Sequence, residues 1–273
     1  MRADDVMTVS LAAPAKLTLS LRITGVRNDG YHLIDAEMTS LTLHDIVSID
    51  ATRRGIAATG RHAAGVPLDD SNLVARALVL ADRAAHITIA KRIPHRGGLG
   101  GGSSDAAAVL RWAGFGNDPA QLVEAARIGA DVPFCLVGGH AAVRGIGEIV
   151  ERLDRVDRAI TLVVPPLGVD TAAAYGAWDE LGGPTADGPN DLEPAAIQVV
   201  PELARWRNLI GDACGETPIL TGSGATWFVF GEHDNALAAL RNEGAEIIAV
   251  RTAASIEEND QNDGNGASAG PVD

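Results

Sequence analysis

A run of glycines constrains this chain more than any other feature. Five of the six residues over 97–102 are glycine, and the run lies between a short apolar stretch and an alanine-rich segment that starts at Ser104. A strand that passes through such a loop into a helix leaves backbone N–H groups open at the helix N-terminus, where the helix dipole favours an anion. The run lacks the lysine of a P-loop and the order of the dinucleotide fingerprint. We therefore favour a phosphate-binding loop over the alternative, a flexible loop with a serine cap.

Lys16 and Asp131 are the candidates for chemistry at a phosphoryl group. Lysine occurs in this chain at positions 16 and 91, and every other basic residue is arginine. This usage is either chance or a need for a compact point charge instead of a planar guanidinium group. Asp131 is a single carboxylate in an apolar run, so it needs a partner, either as a turn cap or in a pair with Lys16. An Asp–Lys pair can hold a substrate hydroxyl for attack on a phosphoryl group.

Two further motifs are weaker candidates. Tyr31 and His32 follow a predicted Asp-Gly turn and place an aromatic ring and an imidazole on a loop, with simple packing on a strand as the alternative. The glycines over 221–226 separate two apolar strands, and a tight hairpin is the default interpretation there. The histidines and acidic residues show no zinc spacing, so we assign no metal site built by the protein itself.

The periodicity of the sequence predicts an α+β protein with two lobes. Residues 17–24 alternate apolar and polar as in a half-buried strand. Further strands are predicted at 36–43, 46–50, 87–90, 160–164, 218–221, 226–230 and 246–251. Helices are predicted at 70–85, at 104–113, from 119, at 170–181, at 194–210 with breaks and at 234–242. Residues 51–68 are predicted as a loose hairpin or loop, and 129–136 as a loop that enters a strand.

The pattern of elements restarts after about Arg152, which indicates a boundary between the lobes near 150–158. We expect an N-terminal lobe over 1–155 and a C-terminal lobe over 156–252. The segment over 253–273 has few apolar residues to bury, so it is predicted to be a disordered acidic tail.

Charge and cysteine content exclude several classes of protein. The formal net charge is −14 at pH 7, so the chain is a poor candidate for general nucleic-acid binding, although the net charge leaves a local basic patch open. Cys135 and Cys214 cannot build a disulfide framework, and a reducing cytoplasm fits this content best. The N-terminus shows no signal-peptide pattern, and no stretch is long and apolar enough to span a membrane. We expect a cytoplasmic protein with small-molecule ligands and without a nucleic-acid or membrane partner.

Seven stretches of the chain together resemble one family. They are 13–25 (APAKLTLSLRITG), 29–33 (DGYHL), 91–107 (KRIPHRGGLGGGSSDAA), 129–141 (GADVPFCLVGGHA), 144–148 (RGIGE), 190–194 (NDLEP) and 221–226 (TGSGAT). The glycine loop marks the superfamily of galactokinase, homoserine kinase, mevalonate kinase and phosphomevalonate kinase, abbreviated GHMP. The AKL, DGYH, GADVP and NDLEP sequences narrow the resemblance to the 4-diphosphocytidyl-2-C-methyl-D-erythritol kinase family, over about residues 12–251.

This resemblance implies an ATP-dependent kinase of the non-mevalonate (methylerythritol phosphate) isoprenoid pathway, with Mg²⁺ accompanying ATP. It implies phosphorylation of the 2-hydroxyl of the erythritol moiety in a cytidine-diphosphate-linked substrate. The implied fold has an N-terminal ribosomal-protein-S5-like ATP-binding lobe, a C-terminal ferredoxin-like lobe and an active site in the cleft between them. A monomer or a homodimer is expected.

The same resemblance implies roles for residues at matching positions. Asp131 is the implied catalytic carboxylate, and Lys16 is its cationic partner. The implied ATP-binding residues are Asn72, Lys91, Pro94, Gly97, Gly98, Leu99, Gly100, Gly101, Gly102, Ser103 and Ser104. The implied substrate-binding residues are Thr18, Tyr31, His32, Asp131 and Thr171, with Tyr31 and His32 against the cytidine.

The chain departs from the family pattern at two places. Thr18 stands where the family usually has asparagine, and its hydroxyl has a shorter reach. The loop begins Pro94-His95-Arg96 instead of the usual Pro-Met-Gly, and Arg96 adds a positive charge beside the phosphates.

Two alternative functions are weighed against this kinase. One is a GHMP kinase for another alcohol, such as homoserine or mevalonate, and the other is a catalytically inactive nucleotide-binding module. The DGYH stretch disfavours the first, because those alcohols have no base to stack. The retained pair of Lys16 and Asp131 disfavours the second, because a module that only binds has no need of it.

Overall fold

The computed structural model describes residues 8–95 and 97–254 of the chain. These residues form ten strands, seven α-helices and one 3-10 helix in two sheets with helices packed on them. Arg96 and the predicted disordered tail beyond residue 254 lie outside the described residues.

The first sheet has six strands around a long antiparallel pair. Its strands are β1 (Val9–Val26), β2 (His32–Asp50), β3 (Gly55–Thr59), β4 (His86–Ala90), β5 (His140–Gly145) and β6 (Ile149–Arg152). β1 follows one edge of β2, while β4 and β5 share the other edge. The β1–β2 register shifts between Pro14 and Lys16 and again between Thr18 and Ser20. Such irregularities re-aim side chains, and here they bracket the segment from Lys16 to Thr18.

The strand predictions for this sheet need two corrections. The strands predicted over 17–24 and 87–90 are confirmed within β1 and β4. The two strands predicted over 36–43 and 46–50 are wrong as separate elements, because β2 runs through both without a break. Part of the segment predicted over 51–68 as a loose hairpin or loop is the strand β3, which pairs with β4 in parallel. Its sequence shows no alternation of apolar and polar residues, so periodicity could not reveal it.

Four helices accompany the first sheet. They are α1 (Leu73–Leu80), α2 (Gly101–Trp112), α3 (Pro119–Ala126) and α4 (Val132–Val137). α1 is shorter than the predicted helix over 70–85, and α2 begins before its predicted start, inside the glycine run. Gly100, the N-cap residue of α2, has a φ of 67°, a conformation that favours glycine. The start of α3 is confirmed, since the Asp118 carboxylate accepts hydrogen bonds from the first N–H groups of that helix.

Of the loop and strand predicted over 129–136, the loop is present at 129–131 and the strand is wrong. Val132–Val137 form the helix α4, and all of its residues are buried. An apolar run that is buried on every side has no periodicity with which to distinguish a helix from a strand. Pro133 lies in the first turn, where a missing N–H costs no intrahelical hydrogen bond, so it favours a helix start at this point.

The second sheet comes from the C-terminal part of the chain. Its strands are β7 (Ala159–Val164), β8 (Ile219–Leu220), β9 (Trp227–Phe230) and β10 (Glu246–Arg251). The associated helices are α5 (Thr171–Glu180), α6 (Glu193–Val199), α7 (Glu202–Cys214) and the 3-10 helix Ala238–Glu243. The strands pair antiparallel in the order β10-β7-β9-β8. With helices in the first and last connections, this is the expected ferredoxin-like arrangement, and the α+β fold class is confirmed.

Most of the C-terminal predictions are confirmed. The helix over 170–181 is α5, and the strands over 160–164, 218–221, 226–230 and 246–251 are present with small shifts of their ends. The broken helix over 194–210 is two helices, separated at Val200 and Pro201. The helix predicted over 234–242 is the 3-10 helix, and it ends at Gly244 with a φ of 92°.

The two sheets meet at a shared apolar cluster. Leu17 of β1 and Leu99 of the glycine loop pack there with Ile160, Phe228 and Val250 of the second sheet. β1 and the glycine loop therefore lie where the two halves of the chain join. The division of the chain into lobes at 155/156 stays a prediction. None of the helices within 8–95 and 97–254 has the length and apolar character needed to cross a bilayer.

Candidate active site

A cleft of about 650 Å³ opens between the first sheet, α5 and the 221–226 hairpin. Every residue implied for catalysis or substrate binding lines it: Lys16, Thr18, Tyr31, His32, Asp131 and Thr171. These residues come from β1, the β1–β2 turn, the start of β2, the N-cap of α4 and the start of α5. The fold therefore brings together side chains that lie far apart in the sequence.

Lys16 and Asp131 form an ion pair in this cleft. Nζ of Lys16 lies 3.5 Å from Oδ2 of Asp131 and donates a hydrogen bond of 3.1 Å to Oγ1 of Thr18. The Lys16 side chain is 6% exposed, whereas that of Asp131 is 32% exposed. A buried ammonium needs such oxygen partners to offset its lost hydration. The carboxylate thus faces the cleft with a fixed positive charge beside it.

The turn-cap interpretation of Asp131 finds no support in the geometry. Asp131 occupies the N-cap position of α4, but among the described residues its side chain makes no capping hydrogen bond. Its backbone φ and ψ are −85° and −11°, already close to helical values and unlike those of Asn72 and Asp118, whose side chains do cap their helices. The Asp131 carboxylate is therefore available for the cleft.

A second cavity, of about 240 Å³, lies against the glycine loop. The implied ATP-binding residues that line it are Lys91, Pro94, Gly97, Gly98, Leu99, Gly100, Gly101, Gly102 and Ser103. The first N–H groups of α2 have no intrahelical partner, so the start of this helix can receive phosphate oxygens. Ser103 lines both this cavity and the larger cleft. The two cavities therefore meet at the first turn of α2.

Two glycines of the loop are required by close contacts. A Cβ atom on Gly98 (φ 77°) would lie 2.8 Å from Cα of Gly224, and one on Gly100 (φ 67°) would lie 2.6 Å from Cγ of Lys16. The backbone N–H of Lys16 also donates a 3.0 Å hydrogen bond to the carbonyl of Leu99. The loop is therefore packed between the 221–226 hairpin and the aliphatic stem of Lys16.

The hairpin over 221–226 belongs to the site, although its sequence predicts an ordinary tight turn. Gly222 and Ser223 line the cleft, and Oγ of Ser223 lies 3.0 Å from Oγ1 of Thr171. Oγ1 of Thr221 accepts a 2.9 Å hydrogen bond from the backbone N–H of Thr18. Asn190 holds the hairpin, since its Nδ2 donates to the carbonyls of Leu220 and Gly222 at 2.8 and 2.7 Å. The available signal was the pair of glycines, which permits a close approach of two backbones.

Aromatic side chains line the end of the cleft next to the β1–β2 turn. Tyr31 is 58% exposed, and the guanidinium of Arg27 lies 5.8 Å from its ring centroid. The imidazole of His32 packs on Tyr175 of α5, with ring centroids 4.7 Å apart. Burial, and then the charge of Asp131, raise the pKa of Tyr175 to about 12, so its phenol stays neutral. Tyr175 was missed by the sequence analysis because its helix has no motif of its own.

Two implied ATP-binding residues lie outside the lining of both cavities. The Asn72 side chain serves α1: its Oδ1 accepts from the N–H of Val74 and its Nδ2 donates to the carbonyl of Pro67. Ser104 is completely buried, and its hydroxyl has no hydrogen-bond partner within the described part of the chain. Contacts from these two side chains to ATP stay predictions.

The ammonium of Lys91 is held by the protein itself. It donates hydrogen bonds to the carboxylates of Asp45 and Asp105, and the side chains of all three are at most 4% exposed. Burial would lower the pKa of Lys91, but the two carboxylates outweigh this and raise it. A Cβ atom on Gly101 would lie 3.1 Å from its Nζ, so the ammonium lies close beneath the start of α2.

The described residues offer little for a metal ion by themselves. No group of three or more His, Cys, Asp or Glu side chains within 8–95 and 97–254 could hold one. Ser103 lines both cavities, and Asp131 lines the cleft. A Mg²⁺ ion there would take most of its ligands from phosphate groups and water, as this ion commonly does.

The matching family model and the relatives of substantial identity both indicate a GHMP kinase. The family model for the GHMP kinases N terminal domain matches residues 72–139, which include the glycine loop, Asp131 and α4. The 4-diphosphocytidyl-2-C-methyl-D-erythritol kinase of Paracoccus denitrificans is 38% identical over 236 residues, covering 80% of this chain and 85% of the relative. That of Pelotomaculum thermopropionicum is 36% identical, covering 81% and 88%.

Solved structures agree in fold. The crystal structure of a 4-(cytidine 5'-diphospho)-2C-methyl-D-erythritol kinase superimposes with a TM-score of 0.71 at 30% identity, covering 90% of this chain and all of the other. A homoserine kinase from Cytophaga hutchinsonii gives a TM-score of 0.62 at 16% identity, over 93% of this chain and 97% of the other. The second likeness shows the fold alone, and the first joins the fold to a substantial sequence identity.

Proposed function

The chain belongs to the 4-diphosphocytidyl-2-C-methyl-D-erythritol kinase family, and from this premise we propose that it transfers the γ-phosphoryl group of ATP to the 2-hydroxyl of 4-diphosphocytidyl-2-C-methyl-D-erythritol. This reaction serves the non-mevalonate isoprenoid pathway. The observation that carries the proposal is the ion pair of Lys16 and Asp131, which lines the cleft next to the glycine-loop cavity. A module that merely binds a nucleotide would have no use for a buried ammonium paired with a carboxylate that faces the cleft.

ATP binds at the glycine loop in this proposal. The free N–H groups at the start of α2 and the positive end of its dipole receive the phosphates. The loop has no side chains over most of its length, so the phosphates can approach the backbone closely. The chain carries a net charge of −14, which opposes binding of a polyanion. Mg²⁺ bound with ATP supplies positive charge to the phosphates, and Lys16 supplies more on the side of the acceptor.

Asp131 and Lys16 act together on the acceptor alcohol. An alcohol is a weak nucleophile, and a carboxylate within hydrogen-bond reach orients it and accepts its proton as the new bond forms. The oxygen of the 2-hydroxyl bonds to the γ-phosphorus, the bond from that phosphorus to the β–γ bridging oxygen breaks, and ADP leaves. Lys16 lies 3.5 Å from the carboxylate and its stem packs on Gly100, so its charge lies between the acceptor and the phosphates.

The cytidine end of the substrate lies at the aromatic end of the cleft. Tyr31 offers an exposed ring on which a base can stack, and Tyr175 lines the same end of the cleft, where it packs on His32. Thr18, Thr171 and Ser223 also line the cleft, and their hydroxyls can serve the diphosphate and the polyol, which need hydrogen-bond donors. Neither homoserine nor mevalonate carries a base for the aromatic end.

A coupled assay of ADP release tests the function directly. We expect turnover with the cytidine-linked substrate and little with homoserine or mevalonate. Asp131→Asn is close to isosteric and should lose at least about 10²-fold in kcat with little change in ATP affinity, since acid–base groups typically contribute about 10²–10⁴-fold. Asp118→Asn is the matched control, because it changes an N-cap carboxylate outside both cavities and asparagine caps a helix equally well.

Two results would contradict the proposal. Equal or greater turnover of homoserine or mevalonate would assign the chain to another alcohol. A folded Asp131→Asn protein with the turnover of the unsubstituted enzyme would remove the carboxylate from the mechanism, and thermal melting of the same preparation shows whether it is folded.

A further inference from the structure

One face of α5 surrounds the imidazole of His32. Tyr175, Trp178 and Asp179 are spaced by three and four residues, so their side chains lie on the same side of the helix. The His32 ring lies 4.7 Å from the Tyr175 ring and 5.6 Å from the Trp178 ring, the latter edge-on. Its Nε2 atom lies 2.9 Å from Oδ1 of Asp179. Trp178 is itself fixed, because its Nε1 donates to the carbonyl of Pro184 at 2.9 Å. The orientation of the His32 ring is therefore fixed by three contacts from one helix.

The contact with Asp179 also decides which ring nitrogen carries the proton. A carboxylate can only accept a hydrogen bond, so Nε2 of His32 must be the N–H that donates to it. In the neutral imidazole the other nitrogen, Nδ1, is then an acceptor. Nδ1 has no hydrogen-bond partner among the described residues, and His32 lines the cleft. In this tautomer the ring nitrogen that is left for a ligand is an acceptor rather than a donor.

We propose that Asp179 is a positioning residue that fixes the tautomer of His32, so that Nδ1 accepts a hydrogen bond from the exocyclic amino group of cytosine and the site discriminates against uracil. This inference rests on the proposed function, which places the base at this end of the cleft. Cytosine carries an amino donor at the position where uracil carries a carbonyl acceptor. If Nδ1 of His32 faces that position, it accepts a hydrogen bond from the amino group of cytosine. With uracil, the lone pair of Nδ1 would instead face a lone pair of the carbonyl oxygen, which is repulsive. The pair of Asp179 and His32 thus acts on substrate choice, whereas Tyr31 offers a stacking surface that any pyrimidine can use.

The residue next to Asp179 gives a matched control. Glu180 is an exposed carboxylate on the same helix, and it does not line the cleft. Asp179→Leu keeps a similar size and removes the acceptor, while Asp179→Asn keeps an oxygen that can accept from Nε2. Glu180→Leu removes a neighbouring charge without touching His32.

The experiment compares kcat/KM for the cytidine-linked substrate and its uridine-linked analogue in these proteins. A single hydrogen bond of this kind is worth roughly 2–10-fold, and an opposed pair of acceptors adds to the discrimination. We expect Asp179→Leu to lower the cytidine-to-uridine ratio by about 10-fold, Asp179→Asn to retain most of it, and Glu180→Leu to leave it unchanged. The KM for ATP should not move in any of them. The ¹⁵N spectrum of the His32 ring should show the Nε2–H tautomer in the unsubstituted enzyme and a mixture of tautomers in Asp179→Leu.

The outcomes separate this inference from the proposed function. If the unsubstituted enzyme does not phosphorylate the cytidine-linked substrate, the proposed function is wrong, and the tautomer in the ¹⁵N spectrum still tests the link between Asp179 and His32. If it is active and Asp179→Leu lowers kcat/KM equally for both substrates, or leaves both unchanged, the inference is overturned. A ratio that falls with Asp179→Leu and returns with Asp179→Asn supports it.

Discussion

Replacing Lys91 by methionine separates two roles for this lysine: a ligand of ATP, as the family resemblance implies, or a part of the internal framework beneath the glycine loop. Its ammonium binds the carboxylates of Asp45 and Asp105, and the three side chains are at most 4% exposed. Methionine has a similar shape and no charge. The variant therefore leaves two carboxylates buried without their cation.

The expected loss of stability is large. Breaking a buried ion pair by removing one partner costs about 3–5 kcal/mol, because the remaining charge is uncompensated. Asp45 keeps hydrogen bonds of 2.5 and 2.9 Å from the N–H groups of Arg92 and Ile93, so most of the cost falls on Asp105. For a chain of this size each kcal/mol lowers Tm by roughly 2–4 °C, which gives a fall of roughly 6–20 °C. ATP affinity should change less, since the backbone of the loop stays in place.

The loss of stability in Lys91→Met should also increase with pH. Burial raises the pKa of Asp105 from 3.8 to about 7, although the charge of Lys91 opposes this. A carboxyl group that binds its proton more tightly in the folded state favours folding at low pH, and that contribution is lost as pH rises from 3.8 to about 7. Without Lys91 the pKa of Asp105 rises further. The deficit of Lys91→Met should therefore be largest above pH 7 and shrink on acidification.

Thermal melting at about pH 5 and about pH 8 measures the loss of Tm and its pH dependence, and calorimetric titration of ATP measures the change in ATP affinity. Lys91→Met combined with Asp105→Asn is the control, because it removes one of the two unpaired charges and should recover part of the lost Tm at the higher pH. An unchanged Tm at both pH values together with a large loss of ATP affinity would refute a structural role for Lys91 and make it a ligand of ATP.

Two further substitutions test the loop and the base-binding end. Gly98→Ala places a Cβ atom 2.8 Å from Gly224 at a residue whose backbone is left-handed. It should weaken binding of a non-hydrolysable ATP analogue by at least about 10-fold, as measured by calorimetry. Gly102→Ala adds a Cβ atom with an ordinary 3.8 Å contact and should weaken the binding less. Tyr31→Ala should raise the KM of the cytidine-linked substrate by the equivalent of roughly 1–3 kcal/mol and leave that of ATP unchanged, while Tyr31→Phe keeps the ring and most of the affinity. Equal effects of both Gly variants, or of Tyr31→Ala on both substrates, would contradict these assignments.

The parts of the molecule that the sequence predicted well are those whose signal is local. The strand over 17–24 alternates strictly, α3 begins with Asp118 and Pro119, and the glycine run leads into a helix. In each case the residues that determine the structure lie within one element, so no tertiary information is needed.

The parts that were missed depend on contacts between distant segments. α4 is buried on every side, so its apolar run fits a strand equally well until the packing is known. Asp179 is one of the 36 acidic residues of the chain, and its relevance comes from His32, which is 147 positions away. The 221–226 hairpin is a common turn sequence that becomes part of the site because Gly224 contacts Gly98.

The position of the Lys16 ammonium is set by contacts from both halves of the chain. A lysine side chain has several rotatable bonds, so an ammonium that must act at one point needs more than its own backbone to direct it. The backbone N–H of Lys16 is held by Leu99 of the glycine loop, and that of Thr18 is held by Thr221 of the C-terminal hairpin. Gly100 closes over the aliphatic stem, and the irregularities of β1 lie on either side of the segment. Contacts from the first half and the second half therefore meet on the segment from Lys16 to Thr18. In the proposed mechanism, a relative shift of the halves would move the ammonium with respect to the phosphates and Asp131. The proposed mechanism therefore assigns phosphoryl transfer to the join between the halves rather than to either half alone.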